Sequence, residues 1–439
     1  MKKKSITSYK FHLIAVFAVM VLLVLGMIVG AAFFARPKKS VAEKRELEKF
    51  PKMSLSDMMK GSFFKDVSLW YADTYPGREG LIAMNGKVKS LYGLSPKEKM
   101  VGTGAKADEI PVKEKKQAAS DDLPDVVEPP SKTKVDEAVQ EAVTGDMYIK
   151  DGTAYNVYYF TQSLIDRYAS IMNAAAKSLG DETSLYSIMV PTNVVLLDKD
   201  MQKKIGDSDQ AQSLQYLATK MSDKVNFVYL PKILAEHNDE YLFFRTDHHW
   251  TADGAYYAYK KFCDMKGLKA HKRSYFKETR EFKPFLGTYY QKLRDESLAK
   301  TPDTVKAYIP NGTNDAEIIT TDDETLHSYV IVNADAYSEK NKYLTFLHGD
   351  DSKQVTIVND QIEDESACLV LCDSYGNCFV PFLVDHYHTV YVLDYRHTDE
   401  NVIDFCKDKN IEDLLVVGSI KVLPTKMSLD KLQIDLLGK

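Results

Sequence analysis

Beyond residue 145 the chain alternates short apolar runs with amphipathic stretches. Leu369-Val370-Leu371 and Leu414-Leu415-Val416-Val417 are apolar at every position, as in strands covered on both faces, and helical periodicity surrounds them. The pattern predicts a hairpin over Met147–Tyr159 turning at Asp151-Gly152, a helix over Gln162–Ser178 and a strand over Leu185–Val190. A strand over Asn226–Tyr229 comes next, then a short helix near Ile233 and a helix over Ala252–Lys266. Strands at Ala367–Cys372, Thr389–Leu393 and Asp413–Gly418 alternate with helices at Gly376–Val384 and Asn401–Lys407. This is the rhythm of an α/β fold, a parallel sheet flanked by helices. Residues 279–360 interrupt it with β-like runs at Val305–Ile309, Ser328–Val332 and Tyr343–Leu347, which read as a β-rich insertion.

The first 144 residues have a different texture. Residues 11–35 carry no Lys, Arg, Asp or Glu and exceed the roughly 20 apolar residues that cross a bilayer, so residues 1–35 read as a short cytoplasmic tail and one transmembrane anchor. The run is long for a cleaved signal peptide and lacks a good small-x-small site. With ten residues before it and the whole body after it, the body is expected outside the cytoplasm. Residues 36–94 read as a helical stalk, broken at Phe50-Pro51 and again at Tyr75-Pro76-Gly77. Residues 95–144, rich in Lys, Glu, Asp, Ala and Pro, read as a flexible linker, leaving 145–439 as the main domain.

Charge narrows the function classes. Lys and Arg number 57 against 63 Asp and Glu, a formal net charge of −6, so no overall basic field is available for a nucleic-acid backbone. The five cysteines, 263, 368, 372, 378 and 406, form no CxxC pair or metal-finger spacing, and most fall in predicted core elements, where Cys acts as a small hydrophobe. No cofactor motif is present.

In parallel sheets, ligands bind beyond the carboxyl ends of the strands. Three segments lie there. Cys372-Asp373-Ser374-Tyr375-Gly376-Asn377 places a hydroxyl between a strand and a helix, where Ser374 can act as a nucleophile beside backbone N–H groups, or Asp373 or Ser374 can cap the helix. Arg245-Thr246-Asp247-His248-His249-Trp250-Thr251 offers a base and its carboxylate: Asp247 and His249, two apart in extended chain, point to one side. Asp-His-His is also a metal-type cluster, but no second group with ligand spacing accompanies it. Asp394-Tyr395-Arg396-His397 can place Arg396 over a developing negative charge or merely expose it on a surface loop. Arg245 is a further positive candidate.

The string Thr246-Asp247-His248-His249-Trp250-Thr251, followed by Gly254-Ala255, resembles the signature of the DHHW family and is similar to the Asp-x-His-Trp motif of the periplasmic alginate O-acetylation proteins. Glu43, Arg45 and Leu47 before Phe50-Pro51, with Asp73, Pro76 and Arg78, resemble the stalk of those families. The resemblance implies an SGNH-hydrolase-like domain with Asp247 as orienting carboxylate, His249 as base and Ser374 as nucleophile. Asp-Ser-Tyr-Gly-Asn resembles the SGNH Gly-Asp-Ser block with Cys372 in place of Gly, and separate oxyanion blocks are not identifiable. The oxyanion candidates are the N–H groups of Ser374 and Tyr375, and Asn193 after Pro191-Thr192.

The resemblance implies O-acetyl transfer to a cell-surface polysaccharide, with a membrane-bound O-acyltransferase supplying the acetyl group. A carbohydrate O-acetylesterase and a non-catalytic glycan-binding or scaffold protein of cell-envelope assembly are the alternatives, since spacing does not fix which acceptor meets an acyl-enzyme.

Overall fold

The structure is a computed structural model. It describes residues 145–349 and 352–438 without interruption, 98–111 apart from 103, and, before that, 36–40, 45–47, 49–52, 62–78 and scattered positions, among them 14, 16–22 and 25 of the expected membrane span. The chain forms two units, Met1–Leu94 and Ser95–Lys439.

In the first unit Ile14, 16–22 and Leu25 are helical, and the rest of the expected span lies outside the described residues. Among the described residues no helix is long and apolar enough to cross a membrane. The stalk does not begin as a helix: Lys39–Ser40 pairs antiparallel with Arg45–Glu46. Its helix spans Ser62–Asp73. The Arg36 guanidinium lies 4.2 Å from the Trp70 ring and donates to Thr74 Oγ1 at 2.9 Å, while Phe50 meets Trp70 edge-on at 4.8 Å.

The second unit is built on one eight-stranded sheet. Its strands are β1 (Ser184–Val190), β2 (Val225–Phe227), β3 (Asp315–Thr320), β4 (Thr325–Tyr329), β5 (Ser352–Val358), β6 (Ala367–Cys372), β7 (Thr389–Asp394) and β8 (Asp413–Ser419), in spatial order β4-β3-β5-β7-β6-β8-β1-β2. The five from β7 to β2 run parallel, as the apolar runs predict. Alternation sends Cys368, Val370 and Cys372 into the core on one face and Leu369 and Leu371 into the core on the other. The first core packs helix α2 (Ala252–Lys266); the second packs α1 (Gln162–Leu179), α3 (Val402–Asp408) and α4 (Lys426–Leu437).

The β-rich stretch is largely not a separate insertion. Strands β3, β4 and β5 extend the same sheet, because β5 pairs antiparallel with β7 and β3 with β5. Only Glu278–Phe285 and Asp303–Ile309 form a ribbon of their own. The β-like run Tyr343–Leu347 is instead a 3-10 turn over Lys342–Thr345, and the helix expected over Gly376–Val384 is a short turn, Ser374–Asn377, followed by a 3-10 turn led into by Pro381. Within the stretch expected as linker, Glu98–Val101 is a strand paired with Met147–Lys150. Its charged sequence hides it; residues 112–144 lie outside the described residues. The hairpin turns as predicted, with Asp151 and Gly152 at φ 48° and 75°, the left-handed pair of a type I′ turn.

Candidate active site

The loop before α2 doubles back on itself: Phe244 N–H donates to the His249 carbonyl at 3.2 Å, and Thr251 caps α2 by accepting from Gly254 N–H. Buried Asp303 accepts from the backbone N–H groups of Arg245 and Thr246 at 3.0 and 2.8 Å and from Thr246 Oγ1 at 2.6 Å. With the two residues before it held, Asp247 is buried against the site.

Asp247 Oδ1 accepts from His249 N–H at 3.0 Å and from His249 Nδ1 at 2.6 Å. Oδ2 accepts from Thr288 N–H at 2.8 Å and Thr288 Oγ1 at 3.1 Å, and Thr288 Oγ1 in turn lies 2.8 Å from His248 Nδ1. Burial alone would raise the Asp247 carboxyl, but the His248 and His249 imidazoles and these hydrogen bonds outweigh it and hold the group well below the ordinary carboxylate range. An ionised Asp247 fixes the His249 tautomer with its proton on Nδ1, leaving Nε2 free to accept.

Ser374 stands two residues beyond the end of β6, and its Oγ lies 2.7 Å from His249 Nε2. The three residues thus form one unbroken chain of hydrogen bonds across a separation of 125 positions. Asp373 caps the serine turn, accepting from Tyr375 N–H at 2.9 Å. Gly376 lies flat on the strand end, where a methyl group would sit 2.4 Å from Cys372 Sγ. Trp250, fully buried, donates from Nε1 to the Tyr375 carbonyl at 2.9 Å, so the indole ties the base loop to the serine turn.

A profile of the DHHW family, described as DHHW protein, matches residues 43–128 and 114–393. The chain belongs to the DHHW family. No curated protein matches it. Among solved structures, a DHHW family protein from Eubacterium siraeum is 28% identical, with a TM-score of 0.60, over 68% of this chain and 97% of that one. Bacillus cereus PatB1, solved with a sulfonyl adduct, is 18% identical with a TM-score of 0.53, over 64% of this chain and 98% of that one. The O-acetyltransferase domain of Pseudomonas putida AlgJ matches at 14% identity and a TM-score of 0.38, over 64% and 96%.

In this DHHW chain the other candidates are placed differently. Tyr375 spends its N–H on Asp373, and its hydroxyl donates to the His248 carbonyl. Ser374 N–H stands first in the turn, where a helix has no intrahelical acceptor to give it. Asn193 is buried, and its side chain holds the hairpin: the amide N–H donates to the Ala154 carbonyl at 2.7 Å and the amide oxygen accepts from Asn156 N–H at 3.2 Å. Arg396 is clamped by Asp394, Nε to Oδ1 at 2.9 Å and Nη2 to Oδ2 at 2.5 Å. Arg245 reaches Asp303 at 3.4 Å and lies over the Tyr241 ring. Among the described residues, the group of three with metal-ligand atoms within 4.8 Å of one another is Asp247, His248 and His249, whose atoms are joined to Ser374 and Thr288 by hydrogen bonds.

The sequence reading missed the residues that shape Asp247. Gly287 approaches so closely that a methyl group there would lie 2.2 Å from the Asp247 Cβ, and Thr288 supplies two of its hydrogen bonds. No local pattern around 287–288 marks them. The five cysteines are buried and form no disulfide, as expected for core filler.

Proposed function

We propose that this protein is a membrane-anchored, extracytoplasmic O-acetyltransferase that modifies a cell-surface polysaccharide through an acyl-enzyme on Ser374. The observation that carries the reading is the Asp247–His249–Ser374 relay, 2.6 and 2.7 Å at its two links. Ser374 Oγ attacks the carbonyl carbon of an acetyl ester while its proton passes to His249 Nε2. The tetrahedral oxyanion faces Ser374 N–H. Collapse breaks the donor C–O bond, and His249 returns the proton to the departing alcohol. A glycan hydroxyl then gives its proton to His249 and attacks the acetyl carbon; the bond from that carbon to Ser374 Oγ breaks, His249 returns the proton to Oγ, and the acetylated sugar leaves.

Family membership supports this class of chemistry, and the apolar run 11–35 with the body after it supports the anchor and the outside location. A membrane-bound O-acyltransferase is the proposed source of acetyl groups.

PatB1 with its sulfonyl adduct suggests the first reagent. Purified residues 40–439, treated with phenylmethanesulfonyl fluoride, are expected to gain one adduct mapped to Ser374 and to lose cleavage of an aryl acetate; Ser374→Ala should show neither adduct nor cleavage. Cleavage that survives Ser374→Ala overturns the assignment. Mass spectrometry of an oligosaccharide acceptor then separates transfer from hydrolysis: an acetylated sugar is expected, and free acetate alone makes the protein an esterase.

A further inference from the structure

Tyr343 touches both His249 and Ser374 of the relay. Its ring stacks on the His249 imidazole, with centroids 4.0 Å apart and planes 9° from parallel. Its hydroxyl donates to the Ser374 backbone carbonyl at 2.9 Å. The ring is not free to swing: Phe244 meets it edge-on at 6.0 Å and Phe346 packs at 5.2 Å and 60°, so its face is presented to the imidazole. It reaches the site from the 3-10 turn Lys342–Thr345, a segment remote in sequence from both the base loop and the serine turn.

Each contact has a separate consequence. The hydroxyl bond fixes the first residue of the serine turn, and so the 2.7 Å between Ser374 Oγ and His249 Nε2. The stacked phenol presents its negative face to a ring that becomes cationic when it takes the serine proton, a stabilisation that exists only in the charged form. We infer that Tyr343 is a positioning residue of this site, pinning the Ser374 turn through its hydroxyl and steadying the protonated His249 through its ring. The inference rests on the reading of Ser374 as nucleophile.

The test measures the pH dependence of phenylmethanesulfonyl fluoride labelling in the native protein and in Ser374→Ala, Tyr343→Phe and Tyr343→Leu, with urea unfolding as the control on folding. Tyr343→Phe keeps the stack and loses one hydrogen bond, so labelling should slow by about threefold to tenfold with the acid limb of the profile unmoved. Tyr343→Leu loses both and keeps the site dry; labelling should slow further, and the acid limb should move to lower pH by about half a unit, because the cationic ring loses its partner. Should Tyr343→Leu fail to fold, Tyr343→Phe still decides: native-like rates overturn the hydroxyl's role, and a displaced limb overturns the ring's. Identical rates and limbs in both variants and the native protein sink the inference while Ser374 labelling stands. Absence of labelling in the native protein sinks the nucleophile assignment itself.

Discussion

Asp247 and Gly287 pack so tightly that position 287 has no room for a single methyl group: a Cβ there would fall 2.2 Å from the Asp247 Cβ and 2.3 Å from Oδ2. Gly287 has ordinary extended backbone, φ −77° and ψ −162°, so its requirement is steric and not conformational.

Gly287→Ala should therefore displace the carboxylate without straining the chain. We expect aryl acetate cleavage to drop by at least about 100-fold, with a stability loss of about 1–3 kcal/mol from overpacking. Kinetics paired with urea denaturation checks this, and near-native cleavage would contradict the contact.

Asp247→Asn preserves shape but removes the charge that keeps the His249 proton on Nδ1. Loss of about 10³–10⁴-fold in kcat is expected, with the fold retained, because the wrong tautomer then faces Ser374. Steady-state kinetics and circular dichroism together measure it.

Trp250→Phe deletes the indole donor and leaves the buried Tyr375 carbonyl with only the weak Cys378 Sγ donor at 3.9 Å. Loss of its strong donor should cost about 1–3 kcal/mol, so the urea midpoint should fall, and cleavage should weaken as the serine turn loosens. Native stability in this variant would mean that another donor fills the gap.

Asp373 sets a pH signature on stability. Burial, opposed by the nearby Arg396, raises its carboxyl from 3.8 to about 6 in the fold. The folded chain then holds a proton that the unfolded chain has released, so the contribution of this group to unfolding free energy falls as pH rises from about 4 to about 6. The slope is at most about 1.4 kcal/mol per pH unit. Asp373→Asn keeps a good cap and should flatten that part of the curve in urea titrations at pH 4, 5, 6 and 7. An unchanged slope would show that other carboxyls carry it.

The Asp-x-His spacing and a Ser after a strand were legible locally, but the pairing of the two came from the resemblance to the DHHW signature, since a Ser at a strand end can equally be a helix cap. The alternating core of β6 and β8 was legible locally too. Gly287, Thr288, Asp303 and Tyr343 were not, since each acts across dozens of residues and none stands in a repeating pattern. Asn193 was misplaced because a strand end marks the rim but not which neighbour an amide will find; here it finds the hairpin. Strands β3 to β5 broke the βα rhythm, and periodicity alone does not distinguish a separate insertion from an antiparallel extension of the same sheet.

Strand β8 lies between β1 and β6 and pairs with both, although it is the last strand of the chain to be made. The base loop and the serine turn are therefore synthesised well before the strand that welds their halves of the sheet together. Until residues 413–419 are made, the pair β6–β7 that leads into Ser374 and the pair β1–β2 that precedes the His249 loop have no strand to join them, so the hydrogen-bonded chain from Asp247 to Ser374 closes only when the sheet is complete.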